Sequence, residues 1–223
     1  MGSITRSFAN NITTSGVLLP ASLNNNSIAN VTAYNASVAT GGMVLISSQT
    51  ASNSASISFT TGIDSTYKEY QFWFIQMHPR TDVVSFQFNI STDSGSNYNV
   101  TKTTTAIGAR HKEDGDDVYT SLGYDTGYDL AQSTAFQSLL TTNELGSGSD
   151  ENISGILQIF NPSSTTYVKH FISTASYTVA SYGPAEVNSF VAGYGNTTSA
   201  VNAIQFKMSS GNMDGTILMY GIV

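Results

Sequence analysis

The sequence has no cysteine, 4 prolines, one tryptophan and few charges, with Asp, Glu, Lys and Arg together making 10% of 223 residues. Without cysteine there are no disulfides and no thiolate ligands. The fold must therefore rest on a buried core, which a chain of this length can build unaided. Lys and Arg number 8 against 15 Asp and Glu, a net charge of −7. Scattered and outnumbered, these cations cannot neutralise a phosphate backbone, so no nucleic-acid partner is expected. No apolar run approaches the roughly 18 residues of a membrane span, and membrane insertion is not expected. Residues 1–10 hold one cation, Arg6, and no continuous apolar stretch, so no secretory signal is expected. Ser, Thr, Asn and Gly take the place of the missing charge. A skin of short uncharged polar groups is cheaper to desolvate than one of Lys and Glu, and it can be buried against other chains.

The densest aromatic stretch is Tyr70 to Ile90, which also holds Trp73. In its second half Val84, Phe86, Phe88 and Ile90 alternate with Ser85, Gln87 and Asn89, the period of a strand with one buried and one wetter face. Its first half interleaves Tyr70, Phe72 and Phe74 with Trp73, Ile75 and Met77. That pattern suits a strand covered on both sides, by a second sheet or by another subunit. Pro79 lacks a backbone donor and predicts a turn between the halves, so the stretch reads as a central hairpin.

Elsewhere, strands are predicted over Met43–Gln49, Ala55–Thr60, Tyr98–Thr105, Ile153–Phe160, Tyr167–Tyr177 and Glu186–Tyr194. A closing hairpin pairs Ile204–Met208 with Thr216–Ile222. Residues 105–127 gather Arg110, His111, Lys112, Glu113, Asp114, Asp116 and Asp117 and read as a long exposed loop. Asp129–Leu140 fits a short helix and a strand equally well. Short strands at this spacing predict an all-β fold, a jelly-roll-type antiparallel β-sandwich over 41–223. Residues 1–40 precede it with Arg6 as their only ionisable side chain. Their sparse apolar residues Ile4, Phe8, Ile12, Val17, Leu18 and Leu19 read as an extended N-terminal arm that anchors on a partner, where a disordered tail would carry more charge.

No constellation for catalysis is legible. The three histidines have no ligand at metal-binding spacing, and there is no HExxH, no Cys/His cluster and no GxSxG elbow. A lone histidine such as His78 or His170 is ordinarily structural. Asp64, Glu69, Asp82 and Asp93 flank the central strands, where carboxylates usually fix turns and strand ends. Asp114, Asp116 and Asp117 surround Gly115 and are weak candidates for a hard cation, without EF-hand spacing. Arg110, Tyr119, Tyr124 and Tyr128 are candidates for a ligand loop, since exposed aromatic rings stack on sugars and also populate subunit interfaces. No enzyme activity and no cofactor are expected.

Four segments taken together resemble the virion structural proteins of tailed phages, those of marine phages such as cyanophages among them. These are GIDSTYKEYQFWF (62–74) with His78-Pro79, STDSGSNYNVTKTTT (91–105), NPSSTTYVKHFIST (161–174) and AIQFKMSSGNMDGTILMYGI (203–222). The likeness covers most of 42–223 and lies in strands and turns, so it implies a fold more firmly than a role. It implies a capsid-associated or tail-fibre-like protein located in the virion and assembled in the host cytoplasm. The expected partners are copies of itself, as a homotrimer, other virion proteins of capsid or tail, and, for a fibre or collar protein, a host glycan.

Overall fold

In the computed structural model the described residues are 42–115, 121–142, 144–179 and 184–223. The arm at 1–40 lies outside them, as do Asp116, Asp117 and Tyr119. Twelve strands form: β1 (Met43–Ser54), β2 (Ile57–Phe59), β3 (Glu69–Pro79), β4 (Phe86–Ser91), β5 (Lys102–Lys112), β6 (Ser121–Tyr124), β7 (Gln137–Ser138), β8 (Ile153–Phe160), β9 (Lys169–Val179), β10 (Ala185–Gly195), β11 (Ala203–Met208) and β12 (Met213–Ile222). They make an eight-stranded sheet in the order β1-β12-β3-β8-β9-β10-β5-β6 and a four-stranded sheet in the order β2-β11-β4-β7. Every pairing is antiparallel. The fold is an all-β sandwich, as the period-two patterning requires.

The predicted central hairpin does not form. β3 lies in the large sheet and β4 in the small one, so the chain folds over at Arg80–Ser85 instead of pairing its two halves. The reason is aromatic burial. A hairpin would set the Phe-rich faces side by side on one layer, whereas folding over sets them against each other. Phe74 meets Phe86 edge-on with ring centroids 5.3 Å apart. Pro79 stays in register with Met213, the Arg80 amide donates to Asn212, and Val83 turns the chain with φ of 58°. The closing hairpin fails in the same way, β11 joining the small sheet and β12 the large one. Phe206 on β11 then sits over Phe72 (5.6 Å) and beside Phe86 (5.8 Å) and Phe88 (6.3 Å).

The wetter face expected on β4 is mostly dry, with Gln87 alone half-buried. Ser85, Asn89 and Ser91 are buried along with Phe86, Phe88 and Ile90, because Asn89 Nδ2 donates to the carbonyls of Tyr98 (2.7 Å) and Thr134 (3.0 Å) in segments lying over it. On β3 the situation is reversed. Tyr70, Phe72, Phe74 and Met77 are buried, whereas Trp73 is half-buried and Ile75 is 40% exposed. Within the described residues, a second sheet covers only one side of this strand.

Four strands cannot cover eight, and the far half of the large sheet is closed by an irregular segment. Of the short helix and the strand that their sequence allows, residues 129–140 form no helix and only the two-residue strand Gln137–Ser138. Their backbone is held piecemeal: Leu130 N–H donates to Thr104 Oγ1 (2.7 Å), Leu139 N–H to Phe86 O (2.8 Å), and Ser189 Oγ to Leu139 O (2.8 Å). Leu139, Leu140 and Leu145 are fully buried there and act as the missing layer of the core.

Residues 105–127 were expected as a loop, yet Lys102–Lys112 is an eleven-residue strand in register with β10 and Ser121–Tyr124 pairs back on it. Lys102, Thr104, Ala106, Gly108, Arg110 and Lys112 share one face of β5. Only Ala106 among them is hydrophobic, so the alternation is present in space and invisible in hydropathy.

Candidate functional site

Arg110, on the inner face of β5, pairs its guanidinium with Glu144 across the irregular layer. Both side chains are 19% exposed, and Arg110 Nε is buried with no acceptor. Beside it opens a cavity of about 250 Å³ lined by Gly108, Arg110, Tyr124, Asp125, Thr141 and Thr142. Tyr124 is 54% exposed on edge strand β6, and its hydroxyl donates to the Asp129 carboxylate. That bond to an anion favours the protonated phenol and raises the Tyr124 pKa. Tyr128 does not join them. It is partly buried against the core and lines a separate cavity of about 170 Å³ with Phe136 and Ser138. Two of the four ligand-loop candidates thus converge, one does not, and Tyr119 lies outside the described residues.

Asp114 is held by Lys112, Nζ to Oδ2 at 3.0 Å. Among the described residues no group of three or more His, Cys, Asp or Glu side chains could hold a metal ion. The carboxylates flanking the central strands are taken up by structural hydrogen bonds. Asp93 accepts from Ser91 Oγ (2.6 Å), Asn97 N–H (2.9 Å) and Asn97 Nδ2 (2.7 Å), which stabilise its charged form and lower its pKa to about 2. Asp64 accepts from the Thr66 N–H (2.8 Å), and Asp82 accepts from both the N–H (2.8 Å) and the hydroxyl (2.6 Å) of Ser147, so both pKa values are lowered.

The sequence reads as a Gly/Ser loop over Glu144–Asp150, but nothing in it shows that the loop is built around Glu151. The Gly146-Ser147-Gly148 turn wraps its carboxylate, which accepts from Gly148 N–H (2.7 Å) while Oε1 is buried with no donor. A Cβ at Gly146 would lie 2.1 Å from Glu151 Oε2, so any larger residue there would push the carboxylate out of its place. His78 Nε2 sits 3.0 Å from the Gly148 carbonyl and ties the loop to the end of β3.

Sequence reasoning missed two buried cations. Lys102 on β5 and Lys169 on β9 both stand opposite Gly195 of β10, and both are fully buried. Lys102 Nζ donates to Asn89 Oδ1 (2.5 Å) and Val100 O (2.9 Å), and Lys169 Nζ to Tyr167 O (2.6 Å) and Thr197 O (3.1 Å). Among the described residues neither is in an ion pair. Burial disfavours the ammonium form, lowering the Lys102 pKa to about 8 and the Lys169 pKa in the same direction. Through Asn89 of β4 Lys102 fastens the large sheet to the small one, whereas Lys169 ties together the segments that flank β9 and β10 within the large sheet.

No family model, curated protein or solved structure matches this chain. Among the described residues carboxylates hold turns, lysines hold carbonyls, and an arginine–glutamate pair bridges the irregular layer to β5. Among the described residues no helix is long and apolar enough to cross a membrane.

Proposed function

We propose that this chain is a structural component of a tailed-phage virion, a capsid decoration protein of the head surface that works by adhesion between subunits and catalyses nothing. The observation that carries this reading is the strand order. β1-β12-β3-β8 and β2-β11-β4-β7 are two sets of four, and the chain passes back and forth between them. A jelly roll, the sandwich of many viral capsid domains, consists of eight strands in two sheets joined by Greek-key connections. This order reads as a jelly roll in which β5/β6 and β9/β10 are excursions that widen one sheet from four strands to eight. The likeness of the strand and turn segments to virion proteins supports the same assignment. Localisation follows as the virion, with assembly in the host cytoplasm from homo-oligomers and other virion proteins.

In this reading the apolar residues of 1–40 (Ile4, Phe8, Ile12, Val17, Leu18 and Leu19) anchor each copy on the particle. Several weak contacts per oligomer then add through high effective concentration. Deleting residues 1–30 should leave a folded, soluble oligomer that no longer incorporates into particles, measured as copies per purified particle. Full occupancy by the truncated chain would end the anchoring role.

A second reading, a tail-fibre or collar protein that recognises a host glycan, is favoured by one feature. Arg110 Nε is a buried donor without an acceptor beside a cavity that Tyr124 also lines. A sugar hydroxyl would satisfy it. Arg110→Met should then abolish binding on a glycan array and reduce adsorption to the host, with incorporation unchanged. An array blank for the unaltered protein removes this reading.

A further inference from the structure

The outer face of the eight-stranded sheet has no covering layer among the described residues, and its composition is unusual for a surface facing water. Outward residues line up in register across the sheet. One row runs Ser48, Leu218, Trp73, Ile156, Thr174, Phe190, Ile107. The next runs Leu45, Tyr220, Gln71, Gln158, Ile172, Ala192, Thr105. Leu45, Ile75, Ile107 and Phe190 are exposed, and Trp73 meets Tyr220 edge-on at 5.8 Å. Apolar side chains in contiguous rows are far from the scattered single hydrophobes of an ordinary surface.

We propose that a second copy of this chain docks on this outer face, sheet against sheet about a two-fold axis. The inference rests on the reading of the chain as a self-adhering structural protein and names the surface that adheres. Two observations favour a second copy as the occupant. The first is charge. Neither row contains Asp, Glu, Lys or Arg, although the chain as a whole carries −7. An isologous interface brings each patch against its own duplicate, and an uncharged patch does so without like-charge repulsion.

The second is desolvation. The polar groups set into the face are already bonded to one another: Trp73 Nε1 donates to Gln71 Oε1 (3.0 Å), Gln71 Nε2 to Glu69 Oε1 (2.8 Å), and Gln158 Nε2 to the same Glu69 oxygen (3.1 Å). Glu69, the one carboxylate bordering these rows, is thereby bonded by two amides, so part of the network's hydrogen-bonding capacity is already met before burial.

The test uses the full chain. Sedimentation equilibrium should return twice the 23.7 kDa of one chain. Ile156→Lys and Phe190→Lys, both outward and central, should each raise the dimer dissociation constant at least 100-fold with an unchanged circular dichroism spectrum. Tyr167→Lys, exposed in a turn outside the rows, should leave the mass unaltered. Because the chain has no native cysteine, Thr174→Cys offers a second readout, with a disulfide-linked dimer forming on mild oxidation. A single-chain mass at all concentrations would overturn the proposal. So would a mass of three chains, or a dimer indifferent to both lysines, although self-association and the virion reading would then survive. The groove of about 500 Å³ over Ala192, walled by Tyr194, His170 and Phe160, provides the remaining outcome. A monomer that binds a neutral oligosaccharide there would assign the face to a sugar and overturn pairing.

Discussion

Phe206→Ala should cost about 4 kcal/mol, the largest single-residue loss this fold offers outside its glycines. Phe206 is fully buried on β11, and its ring touches Phe72 of the large sheet as well as Phe86 and Phe88 of its own. Phe72 in turn meets Phe59 at 5.5 Å, and Phe88 meets Phe171 at 5.0 Å. Truncating the shared member leaves a void between two layers that cannot collapse, since each is fixed by its own ladder. A loss of this size is a large fraction of the roughly 5–15 kcal/mol that holds a domain folded. Urea unfolding should show the midpoint falling with an unchanged slope. A loss under about 1 kcal/mol would mean that the layers do not meet at this residue.

The second large effect is a pH dependence owed to Lys102. Its folded pKa is about 8 against an ordinary 10.5. Below pH 8 both states carry the proton, and the folded state bears the cost of a buried ammonium. Between 8 and 10.5 the folded state sheds the proton while the unfolded state keeps it, so stability rises with pH. The full rise is about 3 kcal/mol at 1.36 kcal/mol per unit. Lys169 adds to it in the same direction, since its pKa is also lowered. Tyr70 and Tyr177, raised by burial, oppose it above about pH 10, which makes 8 to 10 the window to read. Lys102→Met should at least halve the rise. At neutral pH it should stabilise by about 2 kcal/mol, the relief of the buried charge less about 1 kcal/mol for the Val100 carbonyl left without its donor. A wild-type profile flat across that window would mean that Lys102 is hydrated.

Strand identity was legible wherever apolar residues marked the period. Ile153–Phe160 coincides with β8, and Glu186–Tyr194 lies within β10. β9 begins two residues later than its sequence suggests, at Lys169. The strand predicted over Tyr98–Thr105 overlaps only the start of β5, whose continuation to Lys112 was not legible because its buried face is made of Lys, Thr, Ala, Gly and Arg, a face whose burial depends on partners such as Asn89, Gln137 and Glu144 far away in sequence. Both hairpins were misread for a related reason. A turn signal says that the chain reverses and is silent on whether it returns beside its own strand or above it. That choice belongs to aromatic packing between layers, which Phe74 with Phe86 and Phe72 with Phe206 decide.

The candidate site was legible only in part. Arg110 and Tyr124 share a cavity because β6 folds back on β5, and Glu144 reaches them from a segment with no periodicity at all. The two-sided apolar pattern of Tyr70–Met77 was the more informative signal. It anticipated a cover on each side of β3, and the second sheet supplies one of them. Trp73 and Ile75 on the other side are what a neighbouring subunit would cover.

Reconstruction of intact particles that carry this chain, by electron cryomicroscopy, measures the central claim most directly. The account predicts density for the two-layered sandwich at symmetric positions on the head surface, each copy in contact with another. Purified particles without the chain, with the protein left as isolated molecules in the host lysate, would contradict it.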